Sequence, residues 1–168
     1  MGTHDHKKSA PRHVRVAILT VSTSRSLKED KSGQWMARQT KREGHDLVDH
    51  RVVTDDAVAI VAQLQEVVQA FRPQALLITG GTGIGPADVT IEAVRPLFHK
   101  ELTAFGPLFA QLSYEEIDSA ALLSRATAGL LDQTLVFCMP GSLNACKLAC
   151  MALIFPELGH LVKHALTG

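Results

Sequence analysis

No unbroken apolar run in this 168-residue chain approaches the roughly 18 residues that a membrane span requires. The polar opening, residues 1–8, also lacks the apolar core of a secretory signal, so the expectation is a cytoplasmic protein with no membrane partner. Net charge is missing too: 17 Lys and Arg balance 17 Asp and Glu, which removes the basic excess that a nucleic-acid partner would demand. With 46% apolar residues the chain is not composed like a disordered one. Cysteines are few and odd in number. Cys138, Cys146 and Cys150 show no C-x-x-C spacing, which argues against a disulfide framework or a zinc site and for buried, reduced thiols. Two nucleotide motifs are absent as well. No Gly-Lys-Ser/Thr ending marks a Walker loop, and glycines at 81, 83 and 85 do not fit G-x-G-x-x-G.

What is present suits one domain, which at this length buries roughly 70% of its unfolded surface. Residues 1–13, with His4, His6 and His13 among polar neighbours, read as a disordered tail, and 14–168 as a single domain. The domain is organised around 75–92. An apolar run at 75–79 without alternation predicts a strand covered on both faces. Gly80, Gly81, Gly83 and Gly85 then open the turn, so that main-chain N–H groups can approach a phosphate, with Thr82 adding one hydroxyl. Asp88 follows, and Thr90 is the expected N-cap of a helix through Leu97. A carboxylate beside phosphates is repulsive unless a divalent cation lies between them, so Asp88 suggests Mg²⁺ shared with a substrate. A plain glycine turn capped by Asp88 explains the same residues equally well.

The flanking chain fits an α/β pattern. A β-branched run at 14–21 reads as a central strand whose exit, Ser22 to Ser26 with Arg25, offers ligand contacts. A helix following Ser32 and Gly33 should stop at Gly44, and a strand at 47–53 leads to Asp55 and Asp56. Ile60, Val61, Leu64, Val67, Val68 and Phe71 form the apolar stripe of the next helix. Strand and helix alternate, which implies right-handed crossovers and a parallel sheet, with Asp55 at the same edge as Asp88. Helix N-cap is the alternative duty for Asp55. Further on, 102–112 predicts a helix, and Arg125, set in the small apolar run 119–129, needs a phosphate or carboxylate partner. A strand at 134–139 runs into Pro140, Gly141 and Ser142, the last an N-cap candidate whose helix offers a second set of free amides. A terminal helix carries Leu158, Leu161, Val162, Ala165 and Leu166 on one face, with His160 and His164 at the surface.

Thr79-Gly80-Gly81-Thr82-Gly83, Asp88-Val89-Thr90, Phe105-Gly106, Leu123-Ser124-Arg125-Ala126 and Pro140-Gly141-Ser142, in this order, resemble the molybdopterin adenylyltransferase family, most closely its MoaB-like branch. The resemblance extends over about residues 14–166. It implies a three-layer α/β/α domain with a mostly parallel sheet, assembled as a homotrimer or homohexamer. It implies a reaction in which the terminal phosphate of molybdopterin attacks the α-phosphorus of Mg-ATP and releases pyrophosphate, in company with other molybdenum cofactor pathway enzymes. Carried over by position, Asp55 and Asp88 are the catalytic, Mg²⁺-holding pair. Ser22, Gly80, Gly81, Thr82, Gly83, Pro140, Gly141, Ser142 and Asn144 are substrate contacts, and Ser124 and Arg125 approach the pterin side. The chain departs from the family at Ala87, where Arg is frequent, and at Ile91, where Pro is frequent. A protein of this kind that binds molybdopterin or a nucleotide without turnover is the alternative.

Overall fold

The computed structural model describes residues 10–166. Strands β1 (Arg15–Val21), β2 (Asp46–Val53), β3 (Ala75–Thr79), β4 (Lys100–Glu101), β5 (Thr127–Leu131) and β6 (Thr134–Met139) form one sheet of order β2-β1-β3-β6-β5-β4. The first four in that order run parallel, and β5 and β4 are antiparallel to their neighbours. The sheet is therefore mostly parallel, as expected, with antiparallel pairing confined to one edge. The cause is local: only Asp132 and Gln133 separate β5 from β6, and Asp132 has φ 50. A two-residue link can close a hairpin, whereas a parallel crossover needs a dozen residues or more.

Three layers follow from the strand side chains. On one face Val16 and Ile18 of β1, Ala75 and Leu77 of β3, and Leu135, Phe137 and Met139 of β6 join a single apolar cluster. On the other, Ala17, Leu19 and Val21, Leu76 and Ile78, and Val136 and Cys138 join a second. Both sides of every central strand are apolar, so each face needs helices to cover it. Helices α1 (Lys31–Arg42), α4 (Phe105–Ile117), α5 (Leu143–Ala149) and α6 (Leu158–Leu166) supply Met36, Phe105, Phe109, Cys146, Ala149, Leu158 and Val162 to the first cluster. The second is closed by α2 (Ala57–Phe71) and α3 (Thr90–Val94) through Ile60, Leu64, Val67, Ile91 and Val94. Burying one such large side chain contributes about 1.5–3 kcal/mol, so the two clusters, not any surface pair, hold the layers together.

Several boundaries differ from the sequence reading. α1 starts at Lys31, so Ser32 and Gly33, expected to precede the helix, lie in its first turn; Asp30 caps it by accepting from the Gly33 amide at 2.8 Å, while Gly44, at φ 83, follows the helix end as expected. The expected helix at 102–112 starts three residues later and runs on to Ile117, followed by a 3₁₀ segment, Asp118–Leu123. Beyond Ala149, α5 widens into a π-turn over Cys150–Ile154. His4 and His6 lie outside the described residues. His13 is engaged, its Nδ1 lying 2.6 Å from the Gly44 carbonyl oxygen. No single helix among the described residues is long and apolar enough to cross a membrane.

Candidate functional site

Strand β1 sends the chain to β2 on one side, and the sheet later continues to β3 on its other side. Ligands of open α/β sheets sit outside the carboxyl ends of strands at such a switch point. A cavity of about 240 Å³ opens there, lined by Thr20, Val21 and Ser22 from β1, Thr79 to Gly83 after β3, Pro140 and Gly141 after β6, and Arg25, Asp55, Asp88 and Leu123. A larger cavity of about 520 Å³ lies at the opposite edge of the sheet, between Arg72, Gln74 and Thr134, and contains none of the sequence-predicted residues. Chemistry is therefore assigned to the smaller one.

The glycine turn is held from behind. Gly80 and Gly81 adopt φ 97 and 64, where a side chain is strained, and a Cβ on Gly80 would stand 2.3 Å from the Val21 carbonyl oxygen. The Gly80 amide donates to Met139 O at 3.1 Å. Thr90 secures both carbonyls, its amide donating to Gly81 O at 2.9 Å and its hydroxyl to Gly80 O at 2.8 Å. This corrects the expected N-cap: Thr90 is fully buried inside the first turn of α3, and Val89 occupies the cap position. The amides of Gly81, Thr82 and Gly83 carry no hydrogen bond among the described residues, which leaves three donors at the cavity. Such a run of unsatisfied N–H groups is an anion cradle.

Two carboxylates face it. Asp55 Oδ2 accepts from the Thr23 amide at 2.6 Å and the Thr23 hydroxyl at 2.8 Å, which joins the exits of β1 and β2. Capping of α2 falls to Asp56, which accepts from the Ala59 amide at 2.8 Å, so Asp55 is free of that duty. Asp88 Oδ2 accepts from the Gly85 amide at 2.9 Å. Each carboxylate keeps its other oxygen, Oδ1, without a hydrogen bond among the described residues. Such oxygen donors suit Mg²⁺, which takes one or two carboxylates and fills the rest of its shell with water and substrate phosphate. No group of three or more His, Cys, Asp or Glu able to hold a metal occurs among the described residues.

Beside this cradle lies a second pocket of about 260 Å³, lined by Ile117, Ala120, Leu123, Ser124, Pro140, Ser142, Asn144 and Leu148 among others. Leu123 and Pro140 line both. The predicted residues thus divide: Ser22, Asp55, Gly80, Gly81, Thr82, Gly83, Asp88 and Gly141 surround the cradle, and Ser124, Ser142 and Asn144 its neighbour. Ser142 caps α5 through the Ala145 amide at 3.1 Å, as expected. Arg125 lines neither pocket. Its guanidinium pairs with Glu92 and donates to Gly83 O at 2.9 Å, so its partner is a carboxylate and its contact with the site runs through the glycine turn.

Sequence reasoning missed Thr20 and what stands behind it. Thr20 Oγ1 donates to Asp30 Oδ2 at 2.6 Å, and His50 Nε2 lies 3.0 Å from the same oxygen. Burial opposes ionisation of Asp30, but the bonds from His50, Thr20 and the Gly33 amide outweigh it and hold its carboxyl below the usual range. The one available signal was a hydroxyl at the end of an otherwise apolar strand. Cys146, beneath the Pro140 turn and 3.0 Å from Thr79 Oγ1, has its thiol pushed up by burial to about 11.

Free amides at the carboxyl edge of a parallel sheet, with carboxylates set against them, define the class: an α/β/α domain built around an anion-binding switch point. Comparison with known proteins narrows this. Residues 17–160 match the family described as "Probable molybdopterin binding domain", and the chain belongs to that family. It is 45% identical over 164 residues to molybdenum cofactor biosynthesis protein B of Bacillus subtilis, covering 97% of this chain and 96% of that one. A crystal structure of a molybdenum cofactor biosynthesis protein B superposes with a TM-score of 0.89 at 42% identity, over 94% of this chain and 98% of the other. That of the tungsten cofactor synthesizing protein MoaB from Pyrococcus furiosus does so at 0.84 and 37% identity, over 93% and 99%.

Proposed function

We propose that this protein adenylylates molybdopterin. A phosphate oxygen of molybdopterin attacks the α-phosphorus of ATP, the bond between the α- and β-phosphates breaks, and pyrophosphate leaves. The observation carrying this reading is the placement of Asp55 and Asp88 on a cavity whose floor is three unpaired glycine-turn amides. In-line phosphoryl chemistry asks a protein for positioning and charge neutralisation and needs no covalent intermediate. The amides of Gly81, Thr82 and Gly83 hold phosphate oxygens. Asp55 and Asp88 would hold Mg²⁺, which supplies neutralisation of the phosphate charge when bound. The adjoining pocket, with Ile117, Leu123 and Leu148 as apolar walls and Ser124, Ser142 and Asn144 as hydrogen-bonding groups, takes the pterin. The exposed apolar residues Leu108, Tyr114, Ile117 and Leu122 support self-association into a trimer or hexamer.

Ala87 favours a second reading, molybdopterin or nucleotide binding without turnover, because the residue beside Asp88 brings no cation. Pyrophosphate release from Mg-ATP, with and without molybdopterin, separates the two. Molybdopterin-dependent release, reduced by about two orders of magnitude or more in Asp88→Asn and in Asp55→Asn, is the expected outcome. Binding of both ligands by the parent with no release would select the carrier instead.

A further inference from the structure

Two carboxylates and one guanidinium line the cradle, and the guanidinium is Arg25. Neither Asp55 nor Asp88 forms an ion pair among the described residues. A polyanionic ligand entering this cavity meets that negative charge, which Mg²⁺ on the two carboxylates would offset and a cation of the protein's own would complement. Ala87 carries none, and Arg125 is committed to Glu92 and to the Gly83 carbonyl. Arg25 alone remains. It is exposed and makes no hydrogen bond or ion pair among the described residues. Its backbone is fixed on both sides, through Thr23 to Asp55 and through Ser26, whose amide and hydroxyl donate to Glu29 Oε2 at 2.9 and 2.7 Å. A guanidinium carried on an anchored loop, lining a cavity of free amides, is placed for a ligand and not for the fold.

We propose that Arg25 is the phosphate clamp of the cradle: its forked N–H groups take two oxygens of a terminal phosphate or pyrophosphoryl group whose other oxygens rest on the amides of Gly81 to Gly83. This rests on the reading that the cradle takes phosphates, and adds which residue sets its preference for a doubly phosphorylated ligand. Arginine suits the task better than lysine because the planar fork matches two phosphate oxygens at once, whereas an ammonium acts as a point charge. The charge of Arg25 is also felt beneath the pocket. Burial raises the Cys146 thiol, and Arg25 pulls it the other way.

The test is titration calorimetry with Mg-pyrophosphate and, separately, inorganic phosphate, using the full chain and its Arg25→Ala and Arg25→Lys variants at two salt concentrations. Arg25→Ala should weaken Mg-pyrophosphate binding about ten- to hundredfold and flatten its salt dependence. Arg25→Lys should recover only part of the affinity. Inorganic phosphate should lose less, and the melting temperature should not move, since Arg25 has no hydrogen bond or ion pair to lose among the described residues. Equal Mg-pyrophosphate affinity in parent and Arg25→Ala would overturn the clamp and leave the phosphate reading intact. A parent that binds no Mg-pyrophosphate would overturn both.

Discussion

The carboxylate of Asp88 occupies the space a side chain at Gly83 would need: its Oδ2 lies 2.6 Å from where a Cβ there would stand. Gly83 is thus bare to admit Asp88. Its neighbours Gly80 and Gly81 are bare because of their positive φ angles. Gly83→Ala should leave the protein folded, because the obstructing atom is the end of a side chain that can swing aside. It should also displace Asp88 and cut pyrophosphate release at least tenfold. Gly80→Ala should instead cost about 3 kcal/mol or more of stability, because the obstruction is main chain and the backbone is strained. Thermal melts of both variants beside the activity assay check this, and equal loss of stability in the two would refute the distinction.

Among the described residues Arg125 is tied to the site through the Gly83 carbonyl, and its pair with Glu92 is partly exposed. Exposed ion pairs contribute about 0–1 kcal/mol, so Arg125→Ala should lower stability by less than about 1 kcal/mol. Freed of that tether, the glycine turn should raise KM for ATP several-fold with a smaller change in kcat. Loss of several kcal/mol in a denaturant titration would make Arg125 a structural residue.

Asp30 is fully buried, and its folded value lies below that of the unfolded chain. A depressed carboxylate stabilises the fold at pH above its unfolded value of about 3.9, and that contribution is lost as pH falls through the folded value. Asp30→Ala should therefore cost about 2–3 kcal/mol at pH 7, through the lost helix cap and the stranded Thr20 and His50 groups. The difference between variant and parent should shrink below about pH 4. Denaturant titrations at pH 7 and below pH 4 measure it, and a pH-independent difference would contradict the argument.

Cys138, Cys146 and Cys150 are free and buried, and burial raises all three thiols. With Cys146 at about 11, less than about one part in a thousand is thiolate at pH 8. The native protein should react with an aromatic disulfide reagent over hours, and all three thiols should react within minutes in denaturant. Rapid native labelling of even one would mean that the layer over Cys146 opens readily.

The four parallel strands were legible because their apolar runs are bounded by polar exits, and the cradle because four glycines in six positions have few other uses. Asp55 and Asp88 could be placed at one sheet edge from strand order alone. Arg125 was legible as a residue needing a partner, but Glu92 is 33 positions away and meets it only when α3 packs beside the glycine turn. The strand β5 that makes the antiparallel edge was not legible because residues 119–129, small and weakly patterned, do not announce a strand, and the decisive feature is the two-residue turn at Asp132.

Local composition was enough to establish a two-faced sheet, a glycine turn after its central strand, acidic residues at strand exits and capping by Ser142, since each depends on neighbours within a few positions. Packing assigned the duties. It gave the cap of α2 to Asp56 and so released Asp55, buried Thr90 as a brace for Gly80 and Gly81, divided the predicted contacts between two pockets meeting at Leu123 and Pro140, and left Arg25 as the one unpaired cation lining the cradle among the described residues. Those outcomes depend on which of several chemically equivalent groups reaches a partner first, and only the folded chain sets the distances between residues far apart in sequence.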